Sequence, residues 1–419
     1  MNSHTLYPIE KVEGIVNIPP SKSMSQRVLA LVTLAGIELD VLNLGNDRDT
    51  KAAIQICKEF GLTISQNKNV YHLKGIGKNY PFPTLIDCNE SGLSTRLFSC
   101  FSLLNEEKFV VTGKGSILNR SMKMVVEGLE QFGKRVESNV DKLPLKISGK
   151  IDNSSVCIDG NVSSQFLTGL LLVSPFLPFT TTIRVRELKS IPYIQLTLQL
   201  LSEFGLTYSQ NGWEEFIIKG NQTAHPIPKY IIEGDWSSAS YFLVAGAIGG
   251  KVTLKGLSMN SNQADKSLLA VLENVGANLT WDEGNLTVQK DRLKSFEFDA
   301  TNCPDLFPAL VVLASVSEGV SVIKGVTRLY SKESNRAIAL QQECAKIGVL
   351  ITIDGDIMKV SGNKSLHIKE EVRFSSHQDH RIAMAMSLFS LFTTNNIVIE
   401  DASAVSKSYP SFFDDFRRS

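Results

Sequence analysis

Absences narrow what this chain can be. It has no surplus of either charge: Lys plus Arg and Asp plus Glu both number 43 in 419 residues. General binding to nucleic acid or a membrane surface asks for a basic excess, so neither is expected, although a local cationic cleft stays compatible. It has no Cys-x-x-Cys pair. The six cysteines (Cys57, Cys88, Cys100, Cys157, Cys303 and Cys344) are scattered, none at ligand spacing with a His. This gives no metal site and reads as small apolar residues in a reducing compartment. It has no long apolar run: residues 166–177 fall short of the roughly 20 that a membrane span takes, and residues 1–14 carry no signal-peptide core. A cytoplasmic protein is expected. Phosphate-loop and dinucleotide fingerprints are missing too. Gly113-Lys114-Gly115-Ser116 has the tail of the first without its upstream glycine spacing, so neither ATP nor NAD is expected, and no cofactor.

What is present is repetition. An amphipathic helix ending in an apolar residue plus glycine, then a strand, recurs at Gly61, Gly133, Gly205, Gly276 and Gly348, every 71 or 72 residues. One such glycine is an ordinary helix stop; five at constant spacing mark a duplicated unit. The length holds about six copies, the last completed by joining the two termini. Each reads as alternating strands and helices (strand 40–44, helix 50–60, strands 62–64 and 70–73), which predicts an α/β fold with two or three domains.

A second landmark recurs in the same units: a polar turn that opens a very apolar helix. The turns are Ser21-Lys22-Ser23, Glu90-Ser91-Gly92, Ser163-Ser164-Gln165, Asp235-Trp236-Ser237-Ser238, Cys303-Pro304-Asp305 and Gln378-Asp379-His380-Arg381. Helices apolar all round are buried, and a helix start presents unbonded N–H groups and the positive end of the dipole. Lys22, Arg27, Arg96, Arg120, Lys332, Arg336, Arg381 and Lys407 stand beside these turns. Cations at helix N-termini predict substrates with several negative charges, phosphate and carboxylate above all. Ser237-Ser238 has no basic neighbour and reads as capping alone. Asp305, Glu333, Asp379 and His380 are the candidate acid/base groups. For Asp305 the plain alternative is an N-cap, and for Glu333 an i,i+3 ion pair with Arg336.

Taken in order, these motifs resemble the 5-enolpyruvylshikimate-3-phosphate synthase family of enolpyruvyl transferases essentially end to end. They are Pro20-Ser21-Lys22-Ser23-Met24-Ser25-Gln26-Arg27, Ser91-Gly92 with Arg96, Ser163-Ser164-Gln165, Ser190-Ile191-Pro192-Tyr193, Glu233-Gly234-Asp235, Pro304-Asp305, Lys332-Glu333-Ser334-Asn335-Arg336, Asp379-His380-Arg381 and Lys407. The resemblance implies two domains, each of three α/β units. One is 20–229 and the other 1–19 plus 230–419, with hinges near 19–20 and 226–230 and the active site in the interdomain cleft. It implies transfer of the enolpyruvyl group of phosphoenolpyruvate to the 5-hydroxyl of shikimate 3-phosphate, through a tetrahedral intermediate, with loss of phosphate. By the same resemblance Asp305 is the base and Glu333 the acid, with Lys22. Lys22, Ser23, Arg27, Ser163, Ser164, Gln165, Ser190, Tyr193, Asp305 and Lys332 hold shikimate 3-phosphate. Lys22, Gly92, Arg120, Gln165, Arg336, Arg381 and Lys407 hold phosphoenolpyruvate. No metal, cofactor, nucleic acid or membrane is implied, and a monomer is expected.

Three positions depart from the family pattern: Glu90, Leu93 and Arg328. A carboxylate at Glu90 repels phosphoenolpyruvate unless it pairs with a cation or turns away. Gly92 is retained, leaving the space that the inhibitor glyphosate needs, so sensitivity is expected. Two alternative functions stand beside this one. The related transferase acting on UDP-N-acetylglucosamine normally carries a reactive Cys in the loop that here reads Gly113-Lys114-Gly115-Ser116-Ile117-Leu118-Asn119, with none. The other is a degenerate anion-binding homologue without turnover, against which stand Lys22, Asp305 and Glu333.

Overall fold

The computed structural model describes residues 3–77 and 81–419. Strands β1 (His4–Leu6) and β2 (Val12–Asn17) come first. Pro19 and Pro20 stop the strand, and the first repeat follows as α1 (Lys22–Ala35), β3 (Glu38–Leu42), α2 (Arg48–Glu59), β4 (Thr63–Asn67) and β5 (Val70–Lys74). Relative to the strand expected at 40–44, β3 starts earlier and stops at Leu42, because Asn43 turns to φ 58°. The second repeat is β6 (Leu85–Asp87), α3 (Gly92–Ser99), β7 (Phe109–Thr112), α4 (Lys123–Gln131), β8 (Arg135–Asn139) and β9 (Lys142–Ser148). The third is β10 (Ser155–Asp159), α5 (Gln165–Val173), β11 (Thr181–Arg186), α6 (Ile191–Glu203), β12 (Ser209–Asn211) and β13 (Glu215–Ile218), and β14 (Lys229–Ile231) follows it.

The remaining chain repeats the pattern. The fourth copy is α7 (Trp236–Gly249), β15 (Gly250–Lys255), α8 (Leu268–Val275), β16 (Asn278–Asp282) and β17 (Asn285–Gln289). The fifth is β18 (Glu297–Asp299), α9 (Phe307–Val316), β19 (Gly319–Lys324), α10 (Arg336–Ala345), β20 (Ile351–Asp354) and β21 (Ile357–Gly362). The sixth is β22 (Val372–Ser375), α11 (His380–Ser387), β23 (Ile397–Glu400) and α12 (Phe412–Arg418).

Each sheet has one parallel pair and continues antiparallel, as in the order β6-β7-β9-β8, and in four of the six sheets a buried helix joins the parallel pair. The landmark glycines end the second helix of five copies, and all are left-handed: Gly61 at φ 89°, Gly133 at 91°, Gly205 at 70°, Gly276 at 102° and Gly348 at 77°. A side chain is strained there, which explains why the same residue marks every copy.

Two leading strands have changed places. β2 precedes α1 in sequence but pairs parallel with β15 of the fourth copy, whereas β14 precedes α7 but pairs parallel with β3 of the first. β1 completes the sixth sheet, antiparallel to β23. The chain accordingly divides into a unit of Pro20–Ile232 and a second unit of the segment up to Pro19 with Glu233–Ser419. The division falls slightly later than the 229/230 boundary read from sequence, because the β14 ladder belongs to the β3 sheet.

In the first unit the crossover helices α1, α3 and α5 pack on one another. At Gly169 of α5 a Cβ would lie 2.7 Å from Cys100 Sγ and 2.8 Å from the Leu97 carbonyl oxygen, so the α3–α5 approach requires glycine. In the second unit α9 packs against α7 and α11, and every residue of α9 is buried. Each large apolar side chain so buried contributes about 1.5–3 kcal/mol. No helix among the described residues is long and apolar enough to cross a membrane.

Candidate active site

In the first unit the helix starts are tied together by side chains. Ser21 caps α1 by accepting from the Met24 amide, and Ser91 caps α3 by accepting from the Ser94 amide. Arg27, 1% exposed, donates to the carbonyls of Ser23 (2.9 Å) and Tyr193 (3.0 Å) and to the hydroxyls of Thr197 (3.0 Å) and Thr168 (3.2 Å). It thus joins α1 to α5 and α6. Burial lowers its pKa to about 10, and among the described residues no carboxylate pairs with it. Gln26 joins α1 to α3: its Oε1 accepts from Ser94 Oγ (2.8 Å) and Ser91 Oγ (3.2 Å), while its buried Nε2 lacks a partner. Arg96 joins α3 to α5 by donating from Nη1 to Gln165 Oε1 at 2.9 Å. Lys22 Nζ is anchored by Asp49 Oδ2 at 2.8 Å, on the first turn of α2.

Two guanidinium groups converge on the start of α3. A Cβ on Gly92 would meet Arg120 Nη1 at 2.7 Å and Arg96 Nη1 at 3.1 Å. Helix start, glycine and paired arginines together make an anion seat. Glu90 lies beside Gly115, its Oε1 2.5 Å from where a Cβ on that glycine would stand. Ser164 is the N-cap residue of α5 without a capping side-chain bond, and Ser163 Oγ accepts from the Gln165 amide instead. Ser190 starts α6 in the left-handed region at φ 58°.

The second unit holds a denser cluster. Arg336, the first residue of α10 and 1% exposed, donates from Nη1 to Asp305 Oδ1, from Nη2 to Glu333 Oε2 and from Nε to Asp379 Oδ2, each at 2.7 Å. The Glu333–Arg336 pair is part-buried within this cluster and does not stand on an exposed helix surface. Arg381 Nη2 donates to Asp305 Oδ2 (3.0 Å), and Lys332 Nζ to Asp305 Oδ1 (3.3 Å). Burial works against the charged form of Asp305, yet Arg381, Lys332 and Arg336 outweigh it and hold the carboxyl well below its usual range. The same burial lowers Lys332 to about 8, against the pull of Asp305.

Lys407 completes the cluster. It is 4% exposed, its ammonium has no hydrogen-bond partner among the described residues, and Glu333 Oε1 stands 3.7 Å away as an ion-pair partner. An ammonium buried in this way calls for an anionic oxygen. Asp379 is fully engaged: it caps α11 through the Arg381 amide and also receives Arg336 and Ser334. His380 is buried. At the start of α7 the cap is Asp235, which accepts from the Ser238 amide, whereas Ser237 donates its hydroxyl to Asp265 and so does more than the capping expected of it. Glu233 accepts from Ser261 and Gln263.

Sequence reading singled out most of these side chains through their helix-start turns. It passed over Gln26, Asp49, Thr168 and Thr197, whose partners lie on other helices. Among the described residues there is no group of three His, Cys, Asp or Glu able to hold a metal.

Comparison with known proteins agrees over the whole chain. A family model described as EPSP synthase (3-phosphoshikimate 1-carboxyvinyltransferase) matches residues 6–416. The 3-phosphoshikimate 1-carboxyvinyltransferase of Clostridium novyi is 36% identical, over 100% of this chain and 97% of that protein. The protein of the same name from Actinobacillus pleuropneumoniae is 33% identical, over 100% and 99%. Among solved structures, EPSP synthase from Acinetobacter baumannii superposes with a TM-score of 0.83 at 24% identity, covering 99% of this chain and 98% of that one. The enolpyruvyl transferase NikO from Streptomyces tendae gives 0.78 at 15%, covering 99% and 96%. The fold is that of the enolpyruvyl transferases.

Proposed function

The chain belongs to the EPSP synthase (3-phosphoshikimate 1-carboxyvinyltransferase) family, and from that membership we propose that it moves the enolpyruvyl group of phosphoenolpyruvate onto the 5-hydroxyl of shikimate 3-phosphate. The observation that carries the reading at the site is Asp305, a carboxylate hydrogen-bonded by Arg336, Arg381 and Lys332, with the Lys407 ammonium 3.7 Å from Glu333.

In this reading Asp305 takes the proton of the 5-hydroxyl as its oxygen bonds to C2 of phosphoenolpyruvate. Glu333, assisted by Lys22, delivers a proton to the methylene carbon, giving the tetrahedral intermediate. Loss of a proton from the new methyl group and departure of phosphate restore the double bond. Resting Asp305 is a weak base because three cations hold its charge. Anionic substrate groups arriving at Arg336, Arg381 and Lys332 offset those cations and raise its basicity when both reactants are bound. Lys22, Gly92, Arg120, Gln165, Arg336, Arg381 and Lys407 take phosphoenolpyruvate. Lys22, Ser23, Arg27, Ser163, Ser164, Gln165, Ser190, Tyr193, Asp305 and Lys332 take shikimate 3-phosphate. These are small-molecule partners only, and the loop Gly115–Asn119 contains no Cys, which disfavours the UDP-N-acetylglucosamine enzyme.

The test is release of inorganic phosphate from phosphoenolpyruvate with and without shikimate 3-phosphate. Release should require both, and Asp305→Asn should lower kcat by about 10²–10⁴-fold while the fold is retained. Absence of release from folded wild-type protein that still binds shikimate 3-phosphate would favour the degenerate anion binder.

A further inference from the structure

The turn between β22 and α11 delivers Asp379 and Arg381 to the cluster, and its backbone is unusual. His377 and Gln378 are consecutive non-glycine residues in the left-handed region, at φ 50° and 57°. Such a pair persists only where its surroundings hold it. Part of the hold is local: Ser375 Oγ accepts from the His377 amide at 3.1 Å and Ser376 Oγ from the Gln378 amide at 3.2 Å. The rest comes from α10. Glu343, whose side chain is 3% exposed, lies about two turns beyond Arg336 on that helix. Its Oε1 pairs with His377 Nε2 at 2.8 Å, and its Oε2 accepts from the Ser375 amide at 2.9 Å and from Lys346 Nζ at 2.6 Å.

Helix α10 is therefore fastened twice to the same turn. Its first residue, Arg336, grips Asp379 after the left-handed pair, and Glu343 grips Ser375 before the pair and His377, its first member. We propose that Glu343, acting through His377, is a positioning residue that aims Arg381 and Asp379 and thereby sets the affinity of the second unit for the anionic groups of phosphoenolpyruvate. The proposal rests on the transferase reading above and adds to it a residue outside the substrate-binding set. Glu343 has no place in the chemistry itself. Its loss lets the turn relax, moving the Arg381 guanidinium from Asp305, which weakens anion binding more than it slows a bound complex.

The experiment measures KM for phosphoenolpyruvate, kcat, and the dissociation constant of phosphoenolpyruvate in the full chain by calorimetry, together with Tm. Glu343→Gln and His377→Leu should each raise KM and the dissociation constant about five- to tenfold, with kcat within about twofold of wild type. His377→Gln, which keeps a donor for Glu343, should restore most of the affinity. Lys346→Gln should lower Tm alone, because Lys346 bonds Glu343 and the Arg373 carbonyl but not the turn beyond Ser375. Should Glu343→Gln fail to fold, the half-exposed His377 variants carry the test. Unchanged KM and dissociation constants with a lowered Tm throughout would reduce Glu343 to a scaffold residue and overturn the proposal. A wild-type protein without turnover would instead overturn the transferase reading, and the calorimetric comparison would still decide the role of Glu343.

Discussion

Lys332 ties the cluster to pH. Burial lowers its ammonium to about 8, although Asp305 pulls the other way. It therefore carries its charge below pH 8 and loses it above. The kcat/KM for shikimate 3-phosphate reports the free protein, so it should fall about tenfold per unit above pH 8. Lys332→Arg should move that limb to higher pH, and a limb left in place by this change would remove Lys332 from the substrate set. Gly92 makes a second point. The space a methyl would take is bordered by Arg120 and Arg96, so Gly92→Ala must displace a guanidinium. A severalfold rise in KM for phosphoenolpyruvate is expected, with weaker inhibition by glyphosate, measured side by side against a sensitive wild type.

At the scale of the element, the helix starts were legible because a cap and its helix are neighbours in sequence. Ser21 and Met24, Ser91 and Ser94, Asp235 and Ser238 are each three residues apart, and the period of left-handed glycines reported the repeat. What joins one helix to another was not legible. Arg27 reaches Thr168 and Thr197 across 141 and 170 residues, and Glu343 reaches His377 across 34; no local period announces such pairs. The α3–α5 approach is of the same kind. Gly169→Ala would press a methyl onto the Leu97 backbone, and overpacking of this sort costs about 1–3 kcal/mol. Chemical denaturation should register that loss, and an unchanged midpoint would mean that the two helices can separate at no cost.

For the whole molecule, the exchange of β2 and β14 decides which pieces stand alone. Residues 20–232 contain every strand of their three sheets, β14 included, and expressed as a fragment they should unfold in one cooperative transition. Residues 233–419 lack β1 and β2, which leaves β22 and β23 as a bare pair, and two strands are marginal. That fragment should be poorly folded until residues 1–19 are supplied. Equal stability of the two fragments would contradict the pairings of β1 with β23 and β2 with β15.

The same exchange sets an order of events at the ribosome. β1 and β2 are made ahead of the unit that follows them, yet β15 comes more than two hundred residues later and β23 later still. At about 5–20 residues per second, β1 waits roughly 20–80 s for its partner. Meanwhile the intervening unit, complete in itself, can fold. The waiting strands need protection from wrong pairing, and charge along a free edge supplies it. Glu10, Lys11 and Glu13 stand at the start of β2, where they keep a newborn strand soluble until its sheet exists.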